Sequence, residues 1–296
     1  MGCGPLFRPA VHNKNIGVCF MLIRQIRHFD PEAIAESGQC FRMRIVAPGR
    51  VEVIHRDKRL LIDSLKEERF GFSCTQEEFQ SVWHNYFDLS CDYGAFISAV
   101  DKDDAYLTHA AQAGQGLRIL RQDPWEVLIS FILSQRKSIP AIRDGIDKLC
   151  RRFGSPLMTG EREEHAFPTP QRLAEASVTE LAECSLGYRS PYIQAAARSV
   201  ASGETDLDAL KDLSDGTLLQ KLLSLYGVGI KVASCVMLFG YYRLDAAPVD
   251  VWIQRVIDSE YGGISPFARY EGYAGVMQQY MFYDQIIKKR SRKMTA

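Results

Sequence analysis

The sequence predicts an α+β molecule: an N-terminal antiparallel β-sheet domain with helices, followed by an all-α domain. Three observations predict it. Between residues 41 and 65, short apolar runs alternate around the breaker Pro48-Gly49, as paired strands do. From residue 123 onward, apolar residues recur at helical spacing behind Ser, Thr and Asp start signals. The 296 residues, 46% of them hydrophobic, can bury a core in two domains or in one domain with a subdomain.

The elements follow in order. Residues 1–20 read as a poorly ordered extension, with Met21 as an alternative start, and residues 21–120 as the α+β domain. Phe41–Val46, Arg50–Ile54 and Arg59–Leu65 read as strands. Thr75-Gln76-Glu77-Glu78 starts a helix with Phe79, Val82, Trp83 and Tyr86 on one face, and Asp92–Val100 forms a shorter one. The helical domain covers 121–287. Asp123-Pro124-Trp125-Glu126 offers an N-cap, a proline at the first position and a capping-box glutamate, ahead of Val127, Leu128, Phe131 and Ile132. Ser138 starts a helix that stops at Gly154, and Thr169-Pro170, Ser177-Val178-Thr179-Glu180 and Ser190-Pro191 start three more. Ser214 caps a helix leading into a glycine turn; helices over 231–239, 250–261 and about 270–287 complete the set. Glu161–Glu164 reads as a charged loop, and 288–296, with its run Lys288-Lys289-Arg290-Ser291-Arg292-Lys293, as a disordered basic tail.

Composition narrows the chemistry. Lys plus Arg equals Asp plus Glu at 36 each, so a nucleic-acid binder would have to gather its positive charge on one face. The eight cysteines form no C-x-x-C pair, which argues against zinc or iron–sulfur binding and for reduced, buried thiols in a cytosolic protein. Ile16–Ile26 is interrupted by Arg24 and too short to span a bilayer, and no signal peptide is evident.

The chemistry concentrates in Leu225-Tyr226-Gly227-Val228-Gly229-Ile230-Lys231, followed nineteen residues after the lysine by Asp250 in Pro248-Val249-Asp250. Gly227 and Gly229 permit a tight turn and close approach of another backbone. The helix that opens there exposes unpaired N–H groups suited to phosphate. That positive helix end and burial would both favour a neutral Lys231 amine, a nucleophile, while Asp250 would stabilise positive charge on a sugar as a base departs. On these residues alone the plainer alternatives stand: a solvated or phosphate-touching Lys231, and Asp250 as an ordinary helix N-cap.

Together the turn, lysine and aspartate resemble the helix-hairpin-helix (HhH) DNA glycosylases. The resemblance narrows to the 8-oxoguanine DNA glycosylase/AP lyases over nearly all of residues 21–287. It is carried by Ser37-Gly38-Gln39-Cys40-Phe41-Arg42, Asp123-Pro124 through Ser130-Phe131-Ile132, Gly187-Tyr188-Arg189, and Tyr273-Ala274-Gly275 with Gln278 and Phe282. It implies a bifunctional enzyme, both N-glycosyl hydrolase and AP lyase. Lys231 would attack the sugar C1′ and form a Schiff base, and Asp250 would assist departure of the base. Gly38 would offer its carbonyl to N7–H of 8-oxoguanine, where guanine has a bare acceptor. Gln278 would bind the pairing edge of the flipped base, with Phe282 and Cys235 on its two faces. Tyr188 would wedge into the duplex, Arg189 would address the orphaned cytosine, and Gly227 and Gly229 would hold phosphate.

The chain departs from this pattern at Arg136 and Lys137, where the family carries consecutive asparagines. These longer cations would fill the gap left by the flipped base and bind phosphate. They lack an amide acceptor, which removes the family's basis for a cytosine preference. Plain alternatives exist: Gly38 as a turn, Phe282 as core, Tyr188 as a packed ring, Cys235 as an inert thiol, Arg136 and Lys137 as backbone-phosphate contacts. The resemblance further implies a cytoplasmic, nucleoid-associated prokaryotic monomer acting on double-stranded DNA with an oxidised purine, needing no cofactor, catalytic metal or membrane. Its rivals are a related glycosylase for alkylated purines, which would lack the lysine, and a non-catalytic HhH DNA-binding module.

Overall fold

The computed structural model describes residues 21–157 and 163–294. The expected extension at 1–20, with Cys3 and Cys19, and Glu161-Arg162 of the expected charged loop lie outside them.

Five antiparallel strands form one sheet in the order β1-β5-β4-β3-β2: β1 Leu22–Gln25, β2 Met43–Ala47, β3 Arg50–His55, β4 Lys58–Ser64 and β5 Arg69–Phe72. Strands β2, β3 and β4 match the sequence expectation within two residues, and Gly49 makes the β2–β3 turn at φ +73°. Strands β1 and β5 were not expected. Each has four residues: β1 pairs only with β5, Leu22 opposite Phe72 across nearly fifty residues of chain, and β5 pairs on its other side with β4. Val51, Val53, Leu60, Ile62 and Phe72 face a core shared with Trp83 and Phe87. The helix begun at Thr75 runs on to Tyr86 but passes through a π-helical stretch at Phe79–Trp83. Two further helices, Pro31–Glu36 and Ala105–Ala113, sit behind Asp30 and Asp104 N-caps.

The helical half follows its start signals closely. Asp123 caps Pro124–Ser134, accepting from Trp125 N and Glu126 N. Glu126 does not close a capping box, however. Its carboxylate turns inward to Arg42, 3.6 Å away, and burial pushes it up to about 7. The capping box does form at Ser177 and Glu180. Ile139–Phe153 ends at Gly154, where a Cβ would lie 2.0 Å from Ala166 O, so only glycine fits.

The last helix differs from expectation at both ends. Pro266–Tyr270 forms a 3₁₀ turn, and the helix itself runs Ala274–Met294. The basic run therefore continues the helix instead of forming a disordered tail. Its side chains have partners: Lys288 with Asp284 at 2.7 Å, Lys289 over the Trp252 ring at 4.5 Å, and Arg290 with Glu36. The same helix packs back on the N-terminal half, where Gln279 Nε2 donates to Ser37 O at 2.9 Å and Tyr106 OH donates to Asp284 at 2.9 Å. This return places Phe282 beside Gly38. Among the described residues, no helix is long and apolar enough to cross a membrane.

Candidate active site

The hairpin is built by helices Asp215–Leu223 and Ile230–Phe239. Gly227 adopts φ +81°, and a Cβ there would lie 2.3 Å from Tyr192 Cγ. Tyr192 in turn packs edge-on against Tyr226 at 4.8 Å. Glycine at 227 is thus enforced by the protein itself. Gly229 is different: it is the extended N-cap of Ile230–Phe239, with open space around its Cβ position. No side chain caps that helix, and Ile230 is 61% exposed beside it. A backbone N–H cluster open to solvent at a helix start suits an anion such as phosphate.

Lys231 lies in the first turn of this helix, half-buried. Its Nζ stands 3.5 Å from Ser134 Oγ and 5.0 Å from the centre of the Phe131 ring. Cys235, one helical turn on, is buried, and burial pushes its thiol up to about 11. The Lys231 charge and a hydrogen bond from Lys231 oppose that shift, while the Asp250 charge adds to it. One thiol thus feels both the amine and the carboxylate.

Asp250 is the N-cap of Val251–Glu260, as its plainer reading held. Its Oδ1 accepts from Trp252 N and Ile253 N, each at 2.9 Å. Oδ2 takes no hydrogen bond among the described residues. Capping fixes the carboxylate in place and leaves one oxygen available.

Across the site, Gly38 adopts φ +77°, and a Cβ there would lie 3.0 Å from Phe282 Cε1 and 3.2 Å from Ile139 Cδ1. The Phe282 ring, half-buried, stands 6.4 Å from that of Trp252, two residues beyond Asp250. Gln278, one turn before Phe282, is 4% exposed, and its Oε1 has no hydrogen-bond partner. Its neighbour Gln279 is fully engaged with Ser37 O. A buried, unpartnered amide oxygen costs about 1–3 kcal/mol unless something donates to it.

On the surface, Tyr188 is 52% exposed. Arg189 is not presented there: it is 5% exposed and bonded to the carbonyls of Gln135 and Leu186. Arg136 is exposed in the left-handed region at φ +54°, and Lys137 donates to Ser185 O, its pKa lowered by burial and by the charge of Arg189. Ser134, Gln135 and Trp252 were not singled out in the sequence. Ser134 touches Lys231 across 97 positions, and Gln135 Nε2 donates to Gly227 O at 3.0 Å across 92, distances that local patterns do not span. Among the described residues, no group of three or more His, Cys, Asp or Glu could hold a metal ion.

An α+β half joined to a helical half that carries a glycine hairpin ahead of a lysine is the architecture of the helix-hairpin-helix base excision proteins. Residues 129–268 match the HhH-GPD superfamily of base excision DNA repair proteins, and residues 21–128 match the N-terminal domain of 8-oxoguanine DNA glycosylase. The chain belongs to the 8-oxoguanine DNA glycosylase family. It is 31% identical over 225 residues to a probable N-glycosylase/DNA lyase of Methanothermobacter thermautotrophicus, which covers 66% of this chain and 71% of that protein. It is 38% identical over 159 residues to the N-glycosylase/DNA lyase of Saccharomyces cerevisiae, covering 50% of this chain and 42% of that one. The crystal structure of Clostridium acetobutylicum 8-oxoguanine glycosylase/lyase, in complex with double-stranded DNA containing cytosine opposite 8-oxoguanine, superposes with a TM-score of 0.86. There the identity is 32%, over 91% of this chain and 96% of that one.

Proposed function

We propose that this chain is a bifunctional base excision repair enzyme of double-stranded DNA, which flips out 8-oxoguanine, excises it and then cleaves the strand. One observation carries the reading. Lys231 stands 3.5 Å from Ser134 in the first turn of its helix, Asp250 keeps one carboxylate oxygen unbonded at the next helix start, and Gly38 lies against Phe282, whose ring is 6.4 Å from that of Trp252.

A base inside a duplex is out of reach of a nucleophile, and extruding it costs roughly a few kcal/mol. The open N–H groups at Gly229 grip phosphate, which supplies affinity and register but no base identity. Tyr188 wedges into the stack. In the pocket, Gly38 O accepts N7–H of 8-oxoguanine and repels the bare N7 of guanine. Gln278 Oε1 accepts from the donor-rich pairing edge. Phe282 and Cys235 cover the two faces. The Lys231 lone pair forms a bond to C1′ as the bond from C1′ to the base breaks, and Asp250 stabilises the positive charge that develops on the sugar. Opening of the sugar ring gives the Schiff base. Loss of a C2′ proton then expels the 3′ phosphate and cuts the strand.

The cleft is formed between residues 21–120 and 121–287 in this reading. The enzyme works as a monomer in the cytoplasm of a prokaryotic cell, at the nucleoid. Lys231 and the buried Gln278 favour an oxidised purine over an alkylated one. The test is release of base from duplexes carrying either 8-oxoguanine or 3-methyladenine. We expect 8-oxoguanine to be released and 3-methyladenine to be retained; comparable release of both would overturn the substrate assignment.

A further inference from the structure

A cleft of about 730 Å³ opens in the α+β half, and none of the described residues lining it belongs to the proposed active site. Its charge is one-sided: Arg24, Arg27, Arg118, His28 and His84 line it against a single carboxylate, Asp92. Arg118 builds the site. It is 4% exposed, and its guanidinium donates to the carbonyls of Arg27, His28, Asp88 and Cys91 at 2.8–3.2 Å. Among the described residues no carboxylate bonds to it; that of Asp88, whose charge favours it, is bonded to Tyr93, Tyr242 and Arg121 instead. Burial outweighs the Asp88 charge and lowers the Arg118 pKa, so a second anion in the cleft would stabilise the guanidinium. By holding two successive carbonyls, Arg118 also fixes the segment after β1, where His28 sits in the left-handed region at φ +49°. A Cβ at Gly94, which also lines the cleft, would lie 2.7 Å from His28 Nε2, so glycine leaves room for the ring. Held this way, His28 has a buried Nδ1 without a hydrogen-bond partner, and Arg27 is exposed with no hydrogen bond or ion pair from its side chain among the described residues.

We propose that this cleft binds a phosphate monoester of nucleotide size, at a site separate from Lys231 and Asp250. Arg27 supplies a fork of N–H donors, and the His28 and His84 imidazoles each add a donor. The segment after β1 and the helix begun at Thr75 bring these donors to one cleft. Such a set matches a group with several charged acceptor oxygens, and a phosphate has one more of them than a carboxylate has. Arg118 stays on its carbonyls and contributes its charge from behind. The volume falls within the roughly 300–1,000 Å³ of small-molecule sites, and inorganic phosphate alone would leave most of it empty. The rest of the wall suits a sugar and a base: Leu89 and Ile97 are half-buried apolar surface, and Gln80 is an exposed amide with both donor and acceptor.

The experiment is isothermal titration calorimetry of wild type, Arg27→Ala and His28→Asn with 2′-deoxyguanosine 5′-monophosphate, 2′-deoxyguanosine and inorganic phosphate, and with an undamaged duplex as control. Both variants preserve the fold: Arg118 bonds the Arg27 backbone, which alanine keeps, and asparagine tolerates the left-handed region at 28. Wild type is expected to bind the monophosphate saturably, and the nucleoside and inorganic phosphate at least about tenfold more weakly. Each variant should weaken binding of the monophosphate by roughly 10- to 100-fold, the worth of one charge-assisted hydrogen bond, and leave duplex affinity within about twofold of wild type. No saturable binding of the monophosphate, equal binding of the nucleoside or of inorganic phosphate, or undiminished binding in either variant overturns the proposal. So does a parallel loss of duplex affinity in Arg27→Ala, which would make the cleft a seat for the DNA backbone. None of these readouts involves base excision, so the result is independent of the glycosylase reading.

Discussion

At the scale of single residues, Asp250 has two tasks that substitution can separate. Its Oδ1 caps a helix, and in the proposed reading its charge serves the reaction at Lys231. Asparagine caps as well as aspartate does, so Asp250→Asn should leave urea unfolding unchanged while lowering the single-turnover excision rate by about 10²- to 10³-fold. Asp250→Ala should lose the rate and about 1 kcal/mol of stability besides. Full excision by the asparagine variant would show that the charge is idle. The turn at Gly227 and Gly229, the helix start at Lys231 and the cap at Asp250 were legible in the sequence because each is a local pattern. Ser134 and Gln135 were not, since nothing near them in the chain points to partners 97 and 92 residues away. Glu126 shows the converse: its spacing from Asp123 reads as a capping box, but the buried Arg42 cation draws it inward. Arg189 shows it too. Its motif suggested a surface contact, and the carbonyls of Gln135 and Leu186 hold it inside.

At the scale of elements, the hairpin joins a glycine that the fold demands to one that it does not. Gly227→Ala forces a methyl into the Tyr192 ring in the left-handed region, and should cost roughly 2–4 kcal/mol in chemical denaturation. Gly229→Ala meets open space and should cost at most about 1 kcal/mol as an N-cap change, yet weaken DNA binding because the methyl stands where phosphate approaches. Equal destabilisation by the two, or unaltered DNA affinity in Gly229→Ala, would contradict this division. Most elements were legible because their start signals are local: Asp123, Thr169, Ser177 and Ser214 each cap the helix they introduce. Strands β1 and β5 were not, because four residues carry no period of their own and are defined by their partners, β5 for β1 and both β1 and β4 for β5. The last helix outran its expected end because Glu36, Asp284 and Trp252 receive basic side chains that looked unattached.

At the scale of the whole molecule, the proposed site belongs to no single segment. Gly38 comes from the N-terminal half, Ser134 from one helix end, Lys231 and Asp250 from two helix starts, and Gln278 and Phe282 from the helix that closes the fold. The return of Ala274–Met294 across the N-terminal half, fixed by Gln279 on Ser37, brings Phe282 against Gly38. Balanced overall charge is compatible with DNA binding in such a fold, since in the proposed reading hairpin backbone N–H groups, not net charge, make the anion site. The most direct measurement is borohydride trapping on a duplex containing 8-oxoguanine, for wild type and Lys231→Gln. The account expects a covalent protein–DNA adduct through Lys231 in wild type, and none in a variant that still binds the duplex. An undiminished adduct in Lys231→Gln, or one mapped to another lysine, would contradict it.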